Sequence, residues 1–395
     1  MNKTLRYSLY GLLYFVQGTV LSYFTALNPL YLRGHGLSMS QVGLIGTIGL
    51  LPFVIKIFFG MLSDRVNLFG LGHRKPYIII GLLIQAIALL FAPLINPNTG
   101  YVLFALLAFI VMSGAALFDT CTDGLALDST PKEEAGTVQG IMVGGRALGL
   151  VIVSGLLGFI VQKIGWSAVF WAMALLTLIP LPLAFALREQ PRPADARFEW
   201  KAFRAFSAWP VIALALLGAL YSFTINGADQ IMTPFLNENY GVNELGAGLY
   251  VSVWGIGVVV GGITGGKLVD RLGVRQATLV AALLALAAIG GLALITGAGI
   301  AWLLIPAFGL AYGYYETVYF ATSMQRADRR IAASMFSILM AVANIGTGIG
   351  LGVTGVLVDA VDYRLTFIIL AALNLLALPL IPAIFPRQGR AEAAA

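Results

Sequence analysis

Apolar runs of about 20 residues, separated by short polar or glycine-rich punctuation, follow one another along almost the whole chain. At a helical rise of about 1.5 Å per residue, each run can cross a hydrocarbon layer of about 30 Å. The pattern predicts spans at 7–30, 40–62, 76–95, 101–127, 138–162 and 166–187. After a polar break the spans resume at 209–236, 246–266, 276–296, 300–323, 332–358 and 363–385. The expectation is an all-α integral membrane protein of twelve transmembrane helices in two six-helix bundles, residues 1–187 and 209–395. The break, "REQPRPADARFEWKAFRAFSA" at 188–208, is basic, aromatic and proline-bearing. It is expected to be a cytoplasmic linker with a short interfacial helix around 198–206.

The two halves repeat. An offset of 197 residues lays Gly149, Gly155 and Gly158 on Gly346, Gly352 and Gly355, and superposes Asp119 on Glu316. Upstream, an offset of 205 lays Pro29, Gly36 and Gly43 on Pro234, Gly241 and Gly248, because the loop after span two is longer in the first half. Two consistent offsets and a six-plus-six count mark an internal duplication. A carboxylate inside a span costs roughly 2.5–3.5 kcal/mol on insertion scales, so it is kept for a pathway, a proton relay or a partner. Its recurrence in both halves points to a transporter with a working site between related bundles.

Composition agrees with burial in lipid: 59% of residues are hydrophobic and 11% charged, against about 25% charged in globular domains. The net charge of +6 is topological and calls for no nucleic-acid partner. With the N-terminus inside, every Lys and Arg falls on inside segments except Arg33, Lys163, Arg364 and the intramembrane Lys56 and Arg146. That bias predicts both termini in the cytoplasm. The first apolar run is too long for a signal peptide and lacks a cleavage site. Cys121 is the single cysteine, which excludes a disulfide framework. His35 and His73 fall in loops too far apart for a metal site, and no cofactor is expected. Walker, HExxH and nucleophile-elbow patterns are absent, so the chain does not read as an enzyme.

After span two the chain reads "GMLSDRVNLFGLGHRKP" and after span eight "GGKLVDRLGVRQ". Both resemble the G-x-x-x-D-R-x-G-R-R signature of the major facilitator superfamily, the first copy with an insertion. The resemblance covers essentially the whole chain and implies the two-bundle fold and alternating access. By physical argument, Gly60 and Gly266 would let helices approach. Asp64-Arg65 and Asp270-Arg271 would form a conformational latch of charged hydrogen bonds.

Span four carries "FDTCTDG" and span five "GGRALG". Asp119 and Asp123 share one helix face, Asp119 lies near the midplane, and Arg146 enters span five at comparable depth. With Lys56, two cations balance two acids. This arrangement resembles the muropeptide permease (AmpG-type) branch, which is related to acetyl-CoA and folate–biopterin transporters. Two departures are Phe118, where that branch has Gln, and the lack of extra C-terminal spans found in some members. Glu316 has no basic residue at its depth in its own half. It is therefore expected to be driven toward the neutral form, as suits a proton carrier.

Span seven, "YSFTINGADQIMTPFL", places Asn226, Asp229 and Gln230 at i, i+3 and i+4 around Gly227 and Pro234, as in broken helices that line cavities. Tyr14 and Gln17 of span one, and Tyr312, Tyr315 and Tyr319 beside Glu316, complete an aromatic cavity suited to an organic solute. The sequence thus predicts a monomeric, proton-coupled importer of a polar organic solute in a bacterial inner membrane. Asp119, Asp123 and Glu316 would carry protons, and Arg146 and Lys56 would answer their charge. The partners are the solute, protons and the bilayer. Proton-coupled efflux of an amphipathic compound and a non-transporting membrane scaffold stay open as alternatives.

Overall fold

The chain is almost wholly helical in the computed structural model, which describes residues 3–130, 134–187, 189, 204, 206–326 and 332–385. Among the described residues, eleven helical segments are long and apolar enough to cross a membrane. The first helix, α1 (Lys3–Ala26), is 24 residues long but is not among those eleven. Most of the linker, with the expected helix at 198–206, lies outside the described residues.

Four apolar runs that read as continuous are divided, three of them beside prolines. The first ends α1 at Ala26 and restarts as α2 (Asn28–Gly34), with Pro29 at its beginning. The second is α3 (Met39–Val54) and α4 (Lys56–Arg65), which part at Ile55 (φ −92°, ψ 5°) three residues after Pro52. A proline ring removes one N–H and crowds the preceding turn, which is enough to reset a helix. The sixth run is α8 (Trp166–Leu178) and α9 (Leu181–Ala186), divided at Pro180. The last is α15 (Tyr363–Leu373) and α16 (Ala377–Ile384), joined by a 3-10 turn. The remaining long helices are α5 (Lys75–Phe91), α6 (Tyr101–Ser129), α7 (Ala135–Lys163), α10 (Trp209–Tyr240), α11 (Glu244–Leu272), α12 (Val274–Leu292), α13 (Ala298–Arg326) and α14 (Ala332–Val361).

One expectation fails here. Span seven is not broken: α10 runs through Gly227 and Pro234 without interruption. A proline inside a membrane helix frees a single carbonyl, and packed neighbours can absorb that loss.

Packing divides the chain into two compact units. One holds Met1–Ser38, Ile48–Arg197 and Asn237–Ser252; the other holds Met39–Thr47, Phe198–Leu236 and Val253–Ala395. Within the second unit the start of α3 lies along α14: Thr47 donates to the Gly348 carbonyl at 2.6 Å, and a side chain on Gly43 would strike the Leu351 carbonyl oxygen. Within the first unit the start of α11 lies along α7 in the same way. Ser252 donates to the Val151 carbonyl at 2.7 Å, and a side chain on Gly248 would strike the Ser154 carbonyl oxygen. Each pair of residues is related by the 197 or 205 offset. At Gly43 and Gly248, and likewise at Gly355 and Gly158, the missing side chain is what permits this backbone contact. The copies differ at one point. Asp359 of α14 accepts from the Met39 N–H (3.0 Å), the Ser40 N–H (2.7 Å) and the Ser40 hydroxyl (2.5 Å), capping the N-terminus of α3.

Candidate functional site

In the first unit, α1, α4, α6 and α7 bring polar side chains together inside an apolar interior. Asp119 of α6 is 4% exposed. Its Oδ1 accepts from Gln17 Nε2 at 2.6 Å, and its Oδ2 lies 3.4 Å from Lys56 Nζ. The helix reset at Ile55 makes Lys56 the first residue of α4. One turn along α6, Asp123 accepts a hydrogen bond from the Tyr14 hydroxyl. Close packing of α7 on α1 at Gly11, Gly18, Gly145 and Gly149 brings the Arg146 charge to bear on Tyr14, Lys56 and Asp123. The two-against-two balance expected from the sequence is thus assembled in space. Such a set can take up a proton or an anionic group only by re-pairing its members.

In the second unit the site residues are held mainly by neighbouring side chains and backbone carbonyls of the same unit. The Tyr312 hydroxyl donates to Asn226 Oδ1 at 3.1 Å, and Asn226 Nδ2 donates to the Ser222 carbonyl (2.9 Å) and to Thr347 Oγ1 (3.2 Å). Trp254 meets Tyr312 edge-on at 5.1 Å, and Tyr315 packs against Tyr221 at 4.5 Å. Tyr315 and Tyr319 are fully buried. Gln230 donates to the Leu351 carbonyl at 3.0 Å, and Asp229 is buried beside it on α10. Glu316 is half-buried and takes part in interactions with its surroundings.

Among the described residues, an ion pair at the positions expected to latch is present after span two and not after span eight. Asp64 pairs with Arg74 at 2.7 Å, and the same guanidinium reaches Asp128 at 3.1 Å and the Ser63 hydroxyl at 2.5 Å. Gly124 gives that guanidinium room against α6. Glu189 accepts from the backbone N–H groups of His73, Arg74 and Lys75, capping α5. In the second copy Asp270 and Arg271 are exposed, as is Arg65 in the first, and no ion pair to Asp270 is present among the described residues. Gly60 and Gly266 do not mark close helix approach. A Cβ there would lie 3.4 Å from Thr120 and 3.9 Å from Thr317, ordinary contact distances.

At the start of α7, Glu134 binds Arg6, Lys3 and Tyr7. Burial works against its charge, but the hydrogen bonds from Tyr7 and Lys3 and the charges of Arg6 and Lys3 hold its carboxyl below the ordinary 4.5.

Sequence reasoning missed the roles of Arg74, Asp128, Glu189 and Glu134. It read Arg74 as one topological charge among several, and no short-range signal distinguishes it. Among the described residues no group of His, Cys, Asp and Glu is arranged to hold a metal ion.

The sequence pattern of the Major Facilitator Superfamily matches residues 10–339. The anhydromuropeptide permease of Escherichia coli (strain K12) is 25% identical over 348 residues, covering 84% of this chain and 70% of that protein. A folate-biopterin transporter of Synechocystis is 28% identical over 247 residues, covering 59% of this chain and 47% of that protein. Among solved structures, a bacterial homolog of the human lysosomal transporter Spinster superposes with a TM-score of 0.77 at 20% identity, covering 96% of this chain and 97% of that one. The nucleoside transporter NupG superposes with a TM-score of 0.77 at 15% identity, covering 98% and 100%. These relatives and neighbours are transporters rather than enzymes.

Proposed function

The chain belongs to the Major Facilitator Superfamily, and we propose that it is a proton-coupled importer of a polar organic solute. The observation that carries this reading is the Asp119 cluster. A buried acid at a repeat-related position is shared between Gln17 and Lys56, with Asp123, Tyr14 and Arg146 alongside. A fixed structural pair needs neither a second acid one turn away nor a second cation. A group that must load and unload a proton needs both, because each loss of a partner has to be answered by another.

In this reading twelve spans form bundles of residues 1–187 and 209–395, with both termini cytoplasmic in a bacterial inner membrane, and a monomer works by alternating access. Asp119 and Asp123 carry the proton, Lys56 and Arg146 exchange partners, and Glu316 serves as the repeat-related acid of the second bundle. Tyr14, Gln17, Asn226, Asp229, Gln230, Tyr312 and Tyr315 shape the solute path. Asp64 and Arg74 latch the inside end.

The relative with the broadest coverage here is named for anhydromuropeptides, so muropeptide-like compounds head the substrate classes, followed by siderophore-like and conjugate-like solutes. The test is a ligand-stabilisation screen of purified protein. Anhydromuropeptides, siderophores, nucleoside conjugates and cationic drugs are compared, followed by proteoliposome uptake of whatever stabilises. One polar class should raise the melting temperature and accumulate under an inward proton gradient. Stabilisation by cationic drugs alone, with their extrusion, would overturn the import reading.

A further inference from the structure

Gln17 presents an asymmetry that the charge balance does not explain. Its Nε2 donates to Asp119 Oδ1 at 2.6 Å, while its Oε1 is buried with no hydrogen-bond partner. Asp119 uses both oxygens as acceptors, one for Gln17 and one for Lys56, which is the pattern of the ionised carboxylate. A carboxamide offers two donors on one side and an acceptor on the other, separated by a half-turn about a soft terminal torsion. Leaving the acceptor buried and unmet costs free energy that a leucine or methionine at this position would not incur.

We propose that Gln17 is a two-state positioning residue that reads the proton on Asp119, donating to the carboxylate and turning its carboxamide over to accept from the carboxylic acid. Protonation converts Oδ1 from an acceptor into a hydroxyl donor. In the present orientation that hydroxyl would face the Gln17 NH2, donor against donor. A half-turn of the amide brings Oε1 to the new proton and satisfies the oxygen that is orphaned here. No bond is made or broken in Gln17; the proton resides on Asp119 throughout. The other charged or titratable groups around Asp119 are Lys56 of α4, Asp123 on its own helix, Tyr14 of α1 and Arg146 of α7. Once Asp119 is neutral, Lys56 loses its charge partner and is free to turn to Asp123. The amide flip thereby couples protonation to a change in how α1 is bonded to α6.

This inference rests on the reading that Asp119 takes up a proton, and the experiment separates the two. Infrared difference spectra of the purified protein are recorded across an acid titration with uniformly 13C-labelled glutamine. The expected result is a protonated-carboxyl band that vanishes in Asp119→Asn. A shift of a glutamine carbonyl band should accompany it and be absent in Gln17→Met, while the carboxyl band persists there. In proteoliposomes, Gln17→Met should lower uptake driven by a pH difference at least about tenfold, as expected for losing a hydrogen bond to a charged group. A carboxyl band assigned to Asp119 with no accompanying Gln17 shift overturns the amide switch alone. Absence of any Asp119 carboxyl band overturns the proton reading and the switch with it. If Asp119→Asn fails to fold, Gln17→Met in the labelled protein decides the switch by itself.

Discussion

Neutralising the ion pair at the centre of the first unit should show that Lys56 and Asp119 are held as a pair and not as two independent charges. Asp119 is 4% exposed and its Oδ2 lies 3.4 Å from Lys56 Nζ, whose side chain is 30% exposed. Removing one member of a buried pair costs about 3–5 kcal/mol when the survivor has no recourse. Here the ammonium keeps partial contact outside the protein interior, and Asp123 lies one turn away. The expected cost of Asp119→Asn or Lys56→Met alone is therefore nearer ~2–3 kcal/mol. The double substitution leaves no unanswered charge at this pair and should cost only about 1 kcal/mol, a coupling of several kcal/mol, whereas independent sites add within about 0.3–0.5 kcal/mol. Reversible unfolding of all four proteins in one mild detergent–denaturant series gives the cycle. Additive losses would show that the two groups are not paired and would refute the re-pairing argument built on them.

Other consequences follow from the geometry at the helix ends. Because the Glu134 carboxyl is held below 4.5, its stabilisation is present above that value and lost as pH falls through the lower folded value. Glu134→Gln should therefore melt earlier than the parent at pH 7 and converge on it as acidification protonates the carboxyl, and a pH-independent gap would contradict this. Gly248→Ala puts a methyl into the Ser154 carbonyl and should cost about 1–3 kcal/mol by overpacking. Gly266→Ala, with 3.9 Å of room, should be nearly silent, and equal melting shifts for the two would refute the contact. Arg74→Lys keeps the charge but cannot serve Asp64, Asp128 and Ser63 together in fork geometry. It should lose most of the stability that Arg74→Ala loses, as measured by thermal unfolding.

Much of the fold is legible because lipid imposes a one-dimensional rule: an apolar run of about 20 residues is a span. The breaks at Leu27, Ile55 and Pro180 are not, because a proline resets a helix in some runs and is absorbed in others. Pro234 inside α10 has the same local signature as Pro52 before the Ile55 break. The intramembrane charges Lys56, Asp119, Asp123 and Arg146 could be grouped from sequence because each is expensive alone and they balance in number. Their partners could not be assigned, since Gln17 meets Asp119 across 102 residues and nothing in the intervening chain encodes that contact. The same holds for Glu189 reaching the start of α5 and for Arg74 reaching Asp128. The signature glycines Gly60 and Gly266 proved to have room, while the repeat glycines Gly43 and Gly248 have none. Offset matching had already marked the latter pair without giving the reason.

The central claim is that solute movement is tied to a proton on the Asp119 cluster. The most direct test loads proteoliposomes with a pH-sensitive dye at equal internal and external pH. It then adds outside the solute that stabilises the purified protein. The account predicts that the lumen acidifies as the solute enters, that Asp119→Asn abolishes the acidification, and that Asp123→Asn diminishes it. Solute entry with no change in internal pH, or acidification that survives Asp119→Asn unaltered, would contradict it.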